Sequence, residues 1–221
     1  MRKDVADKSP IRMKTWMHGW GDPLLFRMAH VLHRVGFTPN ALTISGLALS
    51  VLVALLLATG HTVTGGWVLL VAAMVDSLDG TLARLTNQET KFGAFLDSTI
   101  DQWADAIVFL GLLWPYLQAG ARVEVILIFA SLAGSLLVSY TRACAGWRGF
   151  ECTVGPVGRL ERGLVAIVAL ITKQVTLGLW LVAVLSSLTA LRRLYYVWTL
   201  QSKKVIESSG QSEELASRKE E

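Results

Sequence analysis

Asp76-Ser77-Leu78-Asp79-Gly80-Thr81-Leu82-Ala83-Arg84, then eight residues to Gly93, three more to Asp97 and three more to Asp101, form the stretch that decides how the chain is read. It begins where an apolar run, Gly65 to Val75, meets two acids. It ends inside a second run that turns apolar from Ala106 to Tyr116. Spacings of three and four put each pair of acids on one face of a helix. A short connection makes the two helices antiparallel neighbours, so all four carboxylates are expected to meet near one end of a shared cavity. Acids inside apolar helices are costly and mark functional sites. Four of them without counter-ions repel strongly at low dielectric. Hard divalent cations resolve that repulsion, and Mg²⁺ keeps positions open for water or substrate phosphates. With no His or Cys nearby, the all-oxygen set favours Mg²⁺ or Mn²⁺ over zinc.

Outward from this stretch the chain is strongly apolar. Of 221 residues, 52% are hydrophobic and only 17% charged, against about 25% charged in an ordinary soluble domain. Ala41 to Thr59 is an uncharged run of membrane-spanning length. The runs around Gly65–Val75 and Gly93–Tyr116 read as the second and third spans. Val125–Thr141, Gly163–Thr172 and Gln174–Leu191 read as the fourth, fifth and sixth. Before them, residues 11–35 mix Trp16, Trp20, Leu24 and Phe26 with Arg27, His30 and Arg34, the pattern of an amphipathic helix lying in the interface. The expected fold is therefore all-α and integral to the membrane, with six transmembrane helices and an N-terminal interfacial helix. Residues 1–200 form one membrane domain, with the spans over 41–200, and residues 201–221 a polar cytoplasmic tail expected to be disordered. Residues 1–40 carry charges throughout and no continuous apolar core, so no cleavable leader is expected.

Six spans put both termini on one side, and that side collects all but two of the 21 Lys and Arg residues, leaving only Arg122 and Lys173 opposite. Termini and even-numbered connections are expected to be cytoplasmic, in a multi-pass protein of the cell membrane. This placement accounts for the net charge of +4 without nucleic acid. Cys144 and Cys152 lack the number or spacing of a disulfide framework or metal site and read as free thiols in a reducing compartment.

Glycines support a phosphate-bearing ligand. Gly80, beside the second acid, allows close approach of a phosphate or nucleotide to the backbone. Gly93 serves the same end or lets two helices pack tightly. Arg84 is placed to pair with a phosphate or with one of the acids. The eight defined residues over positions 76–101 resemble the signature of the CDP-alcohol phosphatidyltransferase family, with every spacing kept.

The resemblance implies a metal-dependent enzyme that transfers a phosphatidyl-type group from a CDP-activated lipid to an alcohol and releases CMP, in phospholipid biosynthesis. It implies that Asp76, Asp79, Asp97 and Asp101 hold two metal ions, Mg²⁺ or Mn²⁺, with Asp101 also the general base. Gly80, Ala83 and Arg84 would line the cytidine-diphosphate site, with Thr90 contributing. Pro39, Asn40, Ala41 and Leu42 resemble the family's other nucleotide-contacting stretch. Relatives are commonly dimers, so a homodimer is expected. Small residues such as Gly134 and Ser135 permit close helix packing.

The acceptor is read outside that signature. Arg142, Arg148, Arg159 and Arg162 face the cytoplasmic mouth, either as topological charge or as an anion pocket. Ser139–Ala143, Gly158–Arg162 and Lys91–Thr99 look like the corresponding stretches of phosphatidylinositol-phosphate synthases and their archaeal relatives, which use inositol 1-phosphate. That likeness implies Arg142, Arg159 and Arg162 at the acceptor phosphate. Cys144 and Gly146 depart from the pattern, where those enzymes carry further charged residues. Glycerol 3-phosphate or another alcohol is the alternative acceptor. The alternative of another class is a transporter or proton channel, since intramembrane acids also line ion pathways, but such sites usually sit near the midplane in repeated halves. Asp105 continues the acidic face one turn further, where packing or support of the site explains it better than direct chemistry.

Overall fold

The computed structural model describes residues 25–150, 155 and 157–220, with side chains described through Gln201. All its regular structure is helical: α1 (25–34), α2 (Pro39–Ala58), α3 (Thr62–Leu85), α4 (Lys91–Gln118), α5 (Arg122–Trp147), α6 (Arg159–Ile171) and α7 (Val175–Glu220).

Local chemistry sets the helix ends. Thr38 caps α2 with its side chain accepting from the Ala41 N–H, and Pro39 occupies the first turn, where a missing N–H costs nothing. Thr90 caps α4 by accepting from Gly93 N–H at 2.9 Å. Gly60 closes α2 at φ +83°, with His61 N–H reaching back to Leu56 O at 2.8 Å, a left-handed stop natural to glycine. Connections of this kind are short, so consecutive helices run antiparallel.

Helices α2 to α7 form a closed ring. In spatial order, α2 packs on α3, α3 on α6, α6 on α7, α7 on α5, α5 on α4, and α4 back on α2. Missing side chains allow the closest approaches. A Cβ on Gly111 of α4 would collide with the backbone of Ala54 in α2. One on Gly134 of α5 would lie 2.8 Å from Ser186 Cβ in α7. Gly134 and the buried Ser135 thus serve packing inside the chain.

One end of the ring is filled by Val53, Leu57, Leu112, Leu127, Ile128, Leu170, Val175 and Leu179, contributed by five helices. The other end carries the start of α2 and α4 and the end of α3. There a smaller cluster of Ala29, Leu42, Leu78 and Leu82 ties α1 to α2 and α3. The acids lie at this second end.

Three helices are long and apolar enough to cross a membrane: Pro39–Ala58, Arg122–Trp147 and the Val175–Gln201 part of α7. The other three expected spans differ for physical reasons. Helices α3 and α4, at 24 and 28 residues, reach roughly 36 and 42 Å at ~1.5 Å per residue, but their acids break the apolar run. Helix α6 has 13 residues and spans roughly 20 Å, short of a hydrocarbon core of about 30 Å. Exposed Trp67, Trp114, Trp180 and Trp198 fit a lipid-facing exterior. Of the interfacial helix expected over 11–35, residues up to 24 lie outside the described residues, and 25–34 are helical. The tail expected to be disordered instead continues α7 to Glu220. Its Glu, Lys, Leu and Ala residues are good helix formers, and no proline interrupts them.

Candidate metal centre

Two neighbouring helices deliver the acids, Asp76 and Asp79 from the last turns of α3 and Asp97 and Asp101 from the first turns of α4. Carboxylate oxygens of Asp76, Asp97 and Asp101 all lie within 4.8 Å of one another. Two oxygens bound on opposite sides of one Mg²⁺ stand about 4.2 Å apart, twice the usual ~2.1 Å bond. The three acids therefore need only small side-chain adjustments to share a hard divalent ion, and the donor set suits Mg²⁺ or Mn²⁺.

Asp79 faces a different neighbour. At roughly 100° per residue, a side chain three positions on is rotated about 60° around the helix. That turn aims Asp79 at α2, where Thr43 Oγ1–H donates to Asp79 Oδ2 at 2.7 Å. Gly80 N–H donates to Asp79 Oδ1 at 2.5 Å. Thr43 and Asp79 are both buried, at 6% and 7% exposure, so the carboxylate is fixed between helices, and of the four acids expected to meet Asp79 stands outside the converging three.

Arg159, the first residue of α6, enters the acidic group. Its Nη1–H donates to Asp76 Oδ2 at 2.8 Å, and its Nη2 stands 2.8 Å from Asp101 Oδ1. The second contact is an ion pair without hydrogen-bond alignment, since Asp101 Oδ1 accepts no hydrogen bond among the described residues. One guanidinium thus pairs with Asp76 and Asp101 within a converging group of three carboxylates.

The remaining sequence candidates surround this centre unevenly. Gly80 is exposed and a Cβ there would meet nothing within 4 Å, so its backbone is open to a ligand. Ala83 is half-buried. Arg84 is exposed and lies along its own helix, Nη2 donating to Thr81 Oγ1 at 3.3 Å. Thr90 acts as a helix cap. Asn40 sits over the start of α4, its Oδ1 3.6 Å from where a Gly93 Cβ would be. Pro39 is half-buried and Asn40 and Ala41 exposed, whereas Leu42 points into the apolar cluster with Ala29, Leu78 and Leu82.

Of the three arginines expected at an acceptor phosphate, Arg159 sits on the acids and Arg142 is exposed on α5. Arg162 is 5% exposed, and its Nη1 has no hydrogen-bond partner among the described residues. Asp105 has Arg159 and Arg162 as its cationic neighbours. Besides the Arg159 ion pairs, two features escaped sequence reasoning: Thr43 as partner of Asp79, and Gln102 of α4 donating to Ser139 Oγ of α5 at 3.1 Å. Both are side-chain contacts between helices, for which no spacing rule exists.

A family model described as CDP-alcohol phosphatidyltransferase matches residues 37–207. The chain is 37% identical over 172 residues to the archaetidylinositol phosphate synthase of Pyrococcus horikoshii, covering 77% of this chain and 89% of that one. It is 36% identical over 181 residues to the phosphatidylinositol phosphate synthase of Mycobacteroides abscessus, covering 78% and 82%. The crystal structure of Mycobacterium tuberculosis phosphatidylinositol phosphate synthase with CDP-DAG bound superposes with a TM-score of 0.74 at 34% identity, covering 80% of this chain and 94% of that one. The same enzyme in complex with manganese and citrate gives 0.72 at 36% identity, over 79% and 89%.

Proposed function

The chain belongs to the CDP-alcohol phosphatidyltransferase family, and on that premise we propose that it transfers a phosphatidyl-type group from a CDP-activated lipid to inositol 1-phosphate, releasing CMP. The observation that carries this reading is the convergence of Asp76, Asp97 and Asp101 at one end of the helix ring, on a chain over a third identical to inositol-phosphate-using relatives.

In this reading Asp76, Asp79, Asp97 and Asp101 hold two Mg²⁺ or Mn²⁺ ions, with Thr43 holding Asp79 in place. When bound, such ions neutralise the pyrophosphate and the charge that develops as CMP leaves. Asp101 also takes the proton from the acceptor hydroxyl, whose oxygen displaces CMP in line at the lipid-linked phosphorus. The backbone at Gly80, with Ala83, Arg84, Thr90 and the Pro39–Leu42 turn, receives the cytidine diphosphate. Arg142, Arg159 and Arg162 receive the acceptor phosphate, to which a guanidinium can give two hydrogen bonds.

The proposed setting is a multi-pass protein of the cell membrane with six crossings, both termini cytoplasmic and the acids at the cytoplasmic surface. The distribution of Lys and Arg supports this orientation. The short α6 would cross as part of a helix pair packed against α3 and α7. A homodimer remains part of the proposal, but Gly134 and Ser135 are already used within the chain.

The test is CMP release by purified protein given a CDP-lipid and a panel of alcohols and alcohol phosphates. Inositol 1-phosphate should be fastest. Faster turnover of free inositol, serine or glycerol 3-phosphate would assign another acceptor. Ion flux across liposomes without CMP release would favour the transporter class.

A further inference from the structure

We infer that Arg159 is an exchangeable internal cation: its guanidinium and a divalent ion compete for Asp76 and Asp101, so that loading of the ion turns Arg159 toward the acceptor anion. This rests on the metal reading of the acids given above.

Geometry supplies the competition. Arg159 lies 2.8 Å from an oxygen of Asp76 and 2.8 Å from an oxygen of Asp101, two of the three acids that converge within 4.8 Å. A cation placed among those oxygens stands a few ångströms from the guanidinium, at a separation where like charges repel substantially even at moderate dielectric. The link to Asp101 is held by charge without hydrogen-bond alignment, which makes it easily exchanged. Arg159 has somewhere to go. Its side chain is 35% exposed, on the first residue of α6, so it can swing without moving the helix.

The destination is marked by a second observation. Arg162, on the same helix and three residues on, is 5% exposed with Nη1 lacking a partner among the described residues. Asp105 is its acidic neighbour, but the buried Nη1 donor has no acceptor among the described residues, and an anion reaching it would complete its hydrogen bonding. An anion bound at Arg162 would draw Arg159 from the acids, and an ion bound at the acids would release Arg159 to the anion. Divalent ion and acceptor phosphate therefore bind with positive linkage, each tightening the other by the same factor. Such coupling orders loading and suppresses acceptor binding to an enzyme lacking its ions.

The experiment uses full-length protein in detergent. Free Mn²⁺ is read from its EPR signal, with and without inorganic phosphate, against a protein-free control. For wild type, phosphate should tighten Mn²⁺ binding about fivefold or more, the low end of measured couplings. Arg159→Gln should bind Mn²⁺ several-fold tighter than wild type without phosphate, and phosphate should then add little. Arg159→Lys, which keeps the charge and guards against a fold defect in the Gln variant, should bind Mn²⁺ like wild type. The inference is overturned if Arg159→Gln binds Mn²⁺ no tighter than wild type, because Arg159 would then only position the acids. It is overturned too if Arg159→Lys tightens Mn²⁺ as much as Arg159→Gln. Wild type that binds no Mn²⁺ at all would instead remove the metal reading of the acids, and the inference with it.

Discussion

Replacing Thr43 by Val changes shape hardly at all and removes one proton donor. The hydroxyl has a single hydrogen and two acceptors in reach, Pro39 O at 3.1 Å and Asp79 Oδ2 at 2.7 Å. The shorter, charge-assisted contact takes it. In Thr43→Val the Asp79 carboxylate keeps the Gly80 N–H but loses its link to α2, at a site where both side chains are more than nine-tenths buried. Hydrogen bonds to charged groups contribute about 1.5–3 kcal/mol, and a buried acceptor left short of donors cannot turn to water. For a chain of this size 1 kcal/mol shifts the melting temperature by roughly 2–4 °C, so the variant should melt about 3–12 °C below wild type. Thr43→Ser keeps the hydroxyl and should recover most of that loss. The assay is thermal unfolding of protein in nanodiscs, in EDTA so that metal binding does not add its own stability. Melting of Thr43→Val within 1 °C of wild type would refute the reasoning. So would a Thr43→Ser variant as unstable as Thr43→Val.

Other substitutions separate packing from chemistry. Gly111→Ala pushes a Cβ into the Ala54 backbone, which cannot rotate away, and should cost about 1–3 kcal/mol of stability by thermal unfolding. Gly80→Ala meets open space inside α3 and should raise the melting temperature slightly, Ala being the better helix former, while weakening CDP-lipid binding, measured by titration. Asp101→Asn should lower kcat by ~10²–10⁴-fold with a smaller effect on CDP-lipid affinity, whereas equal losses in both would make Asp101 chiefly a metal ligand. Arg142→Lys should raise the KM for inositol 1-phosphate and leave that for the CDP-lipid nearly unchanged, since an ammonium replaces a planar fork.

The parts of the fold legible in the sequence are those governed by spacing along one helix. The uncharged run Ala41–Thr59 is α2 within two residues, and Val125–Thr141 and Gln174–Leu191 lie almost wholly within α5 and α7. Of the four acids that the spacing was expected to bring together, Asp76, Asp97 and Asp101 converge and Asp79 does not. What was illegible is set between helices. Nothing in the order of residues says that α3 neighbours α6, so Arg159 could be read as a cytoplasmic arginine but not as the partner of an acid 83 positions away. Asp79 shares a face with Asp76 only to within about 60°, enough for Thr43 of α2 to claim it. The continuation of α7 beyond Gln201 is hidden by the polarity of its residues, which are nonetheless rich in helix formers.

The most direct test is CMP release from a CDP-lipid and inositol 1-phosphate by the purified protein in nanodiscs, with EDTA and then with Mn²⁺ or Mg²⁺ restored. Release should be absent in EDTA, return with either ion, and stay absent in Asp76→Asn and Asp97→Asn at every ion concentration. Near-normal release in EDTA, or full activity in either variant, would contradict the metal-dependent transfer assigned to these acids.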